Sequence, residues 1–463
     1  MLIKKAVTAF IGQFCYIIIG LLGNSILSKI LGPTSIGKLG VVMVFVTISC
    51  IIVEGGFGGA LVQKKHAASK DYSTVFIFNI LSGVFFGLLL FYLSDFIASF
   101  YSEPLLSKIL KALCIVPLLL SFQVSSNARL IRDMRFKERA LYKLTSLTIT
   151  TIIAISMAYN GYGIWSYVLL VLLNPFLLSL LLFFRVKTFD KLVFSKTSFS
   201  KMFSFGVNTS IVSVINSIFN NIYQLILGKK FDMLSVGLFS QAKGLQDASD
   251  TMFQIVFGNV FFSYLSKLQD KKEQFKVEYR NILLVVFYAI SLVASAVFIY
   301  AEEIVLIIYN KEWLGLVFYL RLLSISSFFY LQEIINNNIF KIFDKTIIIL
   351  KLEIIKKTIQ ISTILLGLYM NSIDYLLYGF LITSIISLII NYFVSHKIID
   401  IITKKELYVF FKIFSISILL NSIIIFIISH YSLEGVSKLF ALPIFLYFII
   451  ISIKHIKQYL KII

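Results

Sequence analysis

The stretch LGPTSIGKLG (residues 31–40) returns two hundred residues later as FDMLSVGLFS (231–240), with Ser35-Ile36-Gly37 falling on Ser235-Val236-Gly237. Taken alone, the first copy has the skeleton of a nucleotide-binding P-loop: Gly32, four residues, then Gly37-Lys38. A working P-loop follows a strand, opens a helix and sets Ser or Thr after the lysine to reach Mg²⁺. Here that position is Leu39, and the second copy has no Gly-Lys. Both copies instead sit between long apolar runs. The sequence predicts a tight turn, made by Pro33 and Gly37, that feeds one membrane helix into the next.

The rest of the chain has the composition this requires. Of 463 residues, 59% are hydrophobic and 14% charged, with a mean hydropathy of +0.92. Soluble domains carry about 25% charged residues. A spanning helix needs about 20 apolar residues. Fourteen such runs can be marked out, the first at 9–28, the fifth at 144–159 and the last two at 407–429 and 435–453. The first run has no small-residue cleavage site and is expected to be a retained helix. The connections are short, so no loop is expected to hold a folded catalytic domain.

Charge orients these helices. The chain has 43 Lys+Arg against 23 Asp+Glu, a net +20. With the N-terminus inside, alternate segments on the cytoplasmic side hold 31 of the basic residues and the opposite loops only 8. That asymmetry fits the positive-inside rule and places both termini in the cytoplasm. It also argues against nucleic acid as a partner, because the surplus is spread over eight short segments and forms no single patch. Cys15, Cys50 and Cys114 lie inside apolar runs without metal or disulfide spacing, and the four histidines are scattered. No metal, cofactor or catalytic residue is expected.

The repeat extends beyond its first motif. At the same offset Gln13, Gly20 and Asn24 meet Ser213, Asn220 and Gln224, along one helical face. At a slightly larger offset NARLIRD (127–133) meets NNIFKIFD (337–344), each a basic exit from the fourth helix of its half. With six helices per half, both halves enter from the same side, so the repeat is parallel. The expected architecture is an all-α polytopic membrane protein of about 14 helices. An N-terminal lobe spans 1–187 and a cytoplasmic linker 188–202. A second lobe spans 203–397, and two further helices lie within 398–463.

Polar side chains inside the spans mark candidate sites, since a charge at mid-bilayer costs about 3 kcal/mol. In SQAKGLQDASDTMFQ (240–254), Lys243, Asp247, Asp250 and Gln254 share one helical face, with Gln241 and Gln246 nearby. A structural Lys243–Asp247 pair is the alternative to a site. Asn216, Asn220 and Gln224 line the preceding helix, and Gln13 and Asn24 give a thinner stripe on the first. Arg321 lies in the tenth span and Arg129 at the exit of the fourth. Glu54 precedes four glycines in EGGFGGALVQKK (54–65); it is either an ion site or a partner of Lys64 or Lys65. Lys356 and Lys357 fall in the eleventh span, or at an interface if that helix extends outward.

ILGPTSIGKLG, EGGFGGALVQKK, NARLIRDMRFKERA (127–140) and YNKEW (309–313), in this order, resemble the polysaccharide-transport branch of the multidrug/oligosaccharidyl-lipid/polysaccharide exporter superfamily. Its members include the Wzx-type O-antigen flippases and the colanic-acid-exporter-like proteins. The resemblance implies a flippase for undecaprenyl-diphosphate-linked glycan in the bacterial inner membrane. Two lobes would rock about a central cavity, the polyprenyl tail staying in lipid. On that footing Lys243, Arg321 and Arg129 would attract the diphosphate, with Asn216, Asn220, Gln224, Gln241, Gln13 and Asn24 lining the cavity. Asp247, Asp250 or Glu54 would couple transport to H⁺ or Na⁺. A drug exporter of the same superfamily and a membrane polysaccharide polymerase or glycosyltransferase are the alternatives.

Overall fold

A computed structural model describes residues 2–399; the two spans expected at 407–429 and 435–453 lie outside the described residues. Every regular element among them is helical, and they form two compact units that divide after Ser240. The first unit holds α1 (Leu2–Leu31), α2 (Pro33–Glu54), α3 (Phe57–Gln63), α4 (Ser69–Tyr101), α5 (Pro104–Leu113), α6 (Val116–Arg132), α7 (Phe136–Tyr159), α8 (Ile164–Arg185), α9 (Lys196–Lys230) and the start of α10 (Met233–Phe253). The second continues α10 through a π-helical turn, Gln254–Gly258, into α11 (Asn259–Ser266). It goes on with α12 (Lys272–Ile299), α13 (Ala301–Ile308), α14 (Leu316–Ile342), α15 (Thr346–Tyr369) and α16 (Ile373–His396). Nine stretches of the described residues are long and apolar enough to cross a membrane. The chain is a multi-pass membrane protein. The three further expected spans, on α10, α14 and α15, carry Lys243, Asp247 and Asp250, then Arg321, then Lys356 and Lys357.

The opening motif folds differently from a turn built on Pro33 and Gly37. Gly32 alone makes the reversal, with φ 77°, and Pro33 already starts α2, where its missing N–H goes unfelt. Gly37 lies inside α2, and its partner is the second copy of the motif. A Cβ on Gly37 would sit 1.8 Å from the Met233 carbonyl oxygen; one on Gly237 would sit 1.9 Å from the Pro33 carbonyl oxygen. The two copies thus cross backbone to backbone, in mirrored register, where only glycine leaves room.

The repeat persists in local geometry. Ile36 N donates to Gly32 O and Val236 N to Asp232 O, both at 3.3 Å. At an offset of 210, α6 and α14 end alike: Met134 and Asp344 turn left-handed, with φ 54° and 53°. Arg135 N then reaches back to Leu130 O at 2.8 Å, as Lys345 N does to Phe340 O at 2.7 Å. The next reversals match too, through Gly161 and Asn371, whose N–H groups donate to Ala158 O and Leu368 O, both at 3.1 Å. Within the expected linker 188–202, α9 already begins at Lys196, and the residues before it are hydrogen-bonded to α4. The Asp190, Val193 and Ser195 amides donate to the hydroxyls of Ser69, Ser73 and Thr74 on α4.

Glycine is therefore a packing requirement at the crossing. Gly37→Ala and Gly237→Ala each lose about 3 kcal/mol, read as a lowered melting midpoint of the detergent-purified protein. Gly244→Ala, where an added Cβ meets nothing within 4 Å, leaves that midpoint unchanged or raises it by up to about 1 kcal/mol.

Candidate functional site

Within the first unit a cavity of about 790 Å³ is walled by α1, α2, α3, α6, α7 and α8. Two cations project into it from α7, Arg139 and Lys143, together with Glu54 from the end of α2. The span expected at 144–159 begins earlier than its apolar run. Helix α7 starts at Phe136, so Lys143 is its eighth residue, about 10 Å along the axis. Both cations are half-buried, and neither forms an ion pair among the described residues. Four residues apart, they share one helical face, where like charges repel.

The packing beneath them is tight. Helix α1 lies along α7 through small residues: a Cβ on Gly12 would meet Ala140 Cβ at 2.4 Å, and one on Gly23 would meet Thr151 Cγ2 at 2.4 Å. Lys143 Nζ sits 5.7 Å from the Tyr16 ring centroid, a cation–π contact from α1. Helix α8, also on the cavity wall, carries Pro175 within an unbroken helix. Side chains from its neighbours bond the backbone carbonyls around it, as polar backbone in lipid requires. Gln123 Nε2 donates to Pro175 O at 3.0 Å, and Ser146 Oγ donates to Asn174 O at 2.7 Å.

The residues singled out in the sequence do not all meet here. Glu54 does, at 790 Å³ of shared space with Arg139 and Lys143. Its alternative partner Lys64 is taken by Asp71, at 2.7 Å. Arg129 donates to Thr188 O at 2.8 Å, approaches Asp133 at 3.6 Å and stacks on Tyr72. Gln13, Asn216 and Asn220 are exposed side chains. Asn24 accepts from the Tyr167 hydroxyl at 3.0 Å, and Gln224 is buried beside Gly40.

In the second unit Lys243 and Asp247 form the i,i+4 ion pair that their spacing allows. Asp250 is buried with neither carboxylate oxygen hydrogen-bonded, and Ser327 is the polar group beside it. Gln241 is buried and accepts from the Tyr309 hydroxyl at 3.3 Å. Arg321 donates to Phe298 O at 3.2 Å. Lys356 pairs with buried Glu333 at 3.0 Å across α14 and α15. YNKEW is a packing motif, with Trp313 fully buried and stacked on Tyr309 at 4.9 Å. Among the described residues no group of three or more His, Cys, Asp or Glu is placed to hold a metal.

The α3 wall of the cavity hangs on Arg132, whose guanidinium donates to the carbonyls of Leu61, Lys64 and Lys65 at 3.1, 2.7 and 3.0 Å. Lysine lacks that fork. Arg132→Lys is expected to lose about 1–3 kcal/mol, and proteolysis should cut first after Lys64 or Lys65 in the variant while sparing the parent protein.

Solved structures with this fold are known. The chain superposes on the lipid II flippase MurJ, in an inward closed conformation, with a TM-score of 0.73 over 98% of both chains at 16% identity. It also superposes on an inward-facing multidrug resistance MATE family transporter of the MOP superfamily, with a TM-score of 0.65, covering 84% of this chain and 94% of that one at 14% identity. In sequence it is 23% identical over 389 residues to the lipopolysaccharide biosynthesis protein WzxC of Escherichia coli K12, covering 82% of this chain and 77% of that one. It is equally similar, over 84% of its length and 81% of the other's, to a membrane protein of the cps region of Klebsiella pneumoniae. Residues 26–318, well over half of the chain, match the polysaccharide biosynthesis protein family, and the chain belongs to that family.

Proposed function

We propose that the chain is a flippase that carries an undecaprenyl-diphosphate-linked oligosaccharide across the bacterial inner membrane. The observation that carries this reading is the pairing of Arg139 and Lys143 on one face of α7, half-buried in a cavity of about 790 Å³. Ionisable side chains within membrane segments mark functional sites, and two mutually repelling cations facing one cavity suit an anionic ligand. Among the cavity-lining residues the one carboxylate, Glu54, offsets half their charge, which leaves a net positive cavity for a diphosphate to enter. Asn127, Gln123 and Asn174 add amides of the kind that hydrogen-bond sugar hydroxyls. The volume lies within the range of about 300–1,000 Å³ that buries a ligand of this order.

The kinship with WzxC and the MurJ-like fold support the same reading. The matched turn geometries of α6 and α14 support two lobes, 1–187 and 203–397, joined by 188–202, with both termini cytoplasmic. Lys243, Arg321 and Arg129 stay assigned to guiding the diphosphate, with Gln13, Asn24, Asn216, Asn220, Gln224 and Gln241 as polar lining. Asp250, buried without a hydrogen-bond partner, is the strongest of the three carboxylates proposed to take up H⁺ or Na⁺; Asp247 and Glu54 are the others. The chain moves its substrate and does no chemistry on it.

A deletion strain is expected to accumulate the lipid-linked repeat unit on the cytoplasmic face, restored by the parent gene. Arg139→Gln with Lys143→Gln should restore less than about a tenth of the flux, an effect of at least 1.4 kcal/mol. Units that reach the outer face but stay unpolymerised would favour the polymerase reading instead. Gradient dependence that survives Asp247→Asn, Asp250→Asn and Glu54→Gln together would remove ion coupling from the proposal.

A further inference from the structure

The cavity raises a problem of selectivity. A half-buried pair of cations in a membrane protein is surrounded by phospholipids whose head groups carry one negative charge, at far higher concentration than any carrier lipid. A bare Arg139–Lys143 pair would bind them. Resting on the anion-binding reading above, we propose that Glu54 sets a charge threshold for this cavity, excluding monoanionic head groups and admitting diphosphates.

The local geometry places Glu54 for that role. It is the last residue of α2, and Gly55 and Gly56 follow with φ 57° and 60°, so the chain folds sharply behind it into α3. The elbow is wedged against α9. A Cβ on Gly56 would sit 1.7 Å from Thr209 Oγ1, and one on Gly206 would sit 2.8 Å from Gly55 O. The backbone that carries Glu54 is thus fixed, while its side chain is exposed on the cavity shared with Arg139 and Lys143. The other carboxylates nearby are engaged elsewhere: Asp71 with Lys64, Asp133 with Arg129, and Glu138 with Arg135. Both cations lie within electrostatic reach of Glu54.

The charge arithmetic then discriminates. With Glu54 in place the cavity presents a net single positive charge. A phosphodiester head group offers one negative charge, no more than Glu54 already supplies, and it must displace that carboxylate or sit beside it at a repulsive distance. A diphosphate offers at least two, so the same net positive cavity attracts it about twice as strongly. The repulsion from Glu54 thus leaves a singly charged head group weakly held while a doubly charged group stays bound.

The test measures binding to the full-length protein in neutral detergent by titration calorimetry, with farnesyl diphosphate and dioctanoyl phosphatidylglycerol as probes. The parent protein should bind the diphosphate at least tenfold more tightly. Glu54→Gln should gain about tenfold for phosphatidylglycerol and at least as much for farnesyl diphosphate, so that the monoanionic probe now occupies the cavity. Glu54→Asn serves as a second neutral variant should the first lose its monodisperse gel-filtration peak. Phosphatidylglycerol binding that stays at the parent affinity in a folded neutral variant overturns the threshold and leaves the anion site intact. Failure of the parent protein to bind farnesyl diphosphate, or binding unaffected by Arg139→Gln with Lys143→Gln, overturns the anion site itself.

Discussion

The rest of the first unit depends on the backbone contact between Gly37 and Gly237. It fixes the start of α2 against the start of α10, carbonyl to glycine in both directions. From that anchored end α2 runs along α9 to the Glu54-Gly55-Gly56 elbow, where Gly206 and Thr209 again bring the two helices into close contact. Two glycine-dependent approaches, one at each end, therefore set where Glu54 stands. Apolar packing alone has no such directional effect among membrane helices, because lipid tails are as apolar as leucine; close backbone approach supplies the missing specificity.

Charge is handled differently in the two units. In the second, charges within the helices are compensated in pairs: Lys243 with Asp247 along α10, and Lys356 with Glu333 across α14 and α15. Paired in this way they are consistent with structure, and a buried pair of this kind is weak evidence for stability. Asp250, by contrast, is buried beside Ser327 without an ion pair among the described residues. In the first unit Arg139 and Lys143 repel across one turn of α7, and Glu54 is the one carboxylate among the residues that line the cavity with them. These two places carry opposite signs, and functional chemistry in a membrane protein is expected where the charge is not cancelled.

Much of this was written in the sequence, for reasons that separate cleanly. The Ser-Ile-Gly and Ser-Val-Gly repeat was visible because close contact demands the same small residue in both copies, although Gly37 had the appearance of a turn residue when its partner was unknown. The i,i+4 spacing of Lys243 and Asp247 foretold their pairing. Glu54 stood out beside its glycines. Arg139 and Lys143 were hidden because RFKERALYK, with four of its nine residues basic, reads as a cytoplasmic loop. Hydropathy marks where a chain is apolar, not where it is helical, and α7 begins eight residues before its apolar run. The Arg-x-x-x-Lys spacing held the missing signal. The Glu333–Lys356 pair joins residues 23 positions apart on different helices, which no local pattern encodes.

The same distinction explains why the basic cluster after the fourth helix of the first half has two different fates. Arg132 and Arg129 on α6 are spent on backbone carbonyls, of Leu61, Lys64 and Lys65 in one case and of Thr188 in the other. They hold loops in place, and their charge is a by-product of needing many donors on one side chain. Arg139 and Lys143, one turn into the next helix, have no such carbonyls before them and face the cavity instead. Position on the helix, more than residue type, divides the basic cluster into residues that build the wall and residues that present charge inside it.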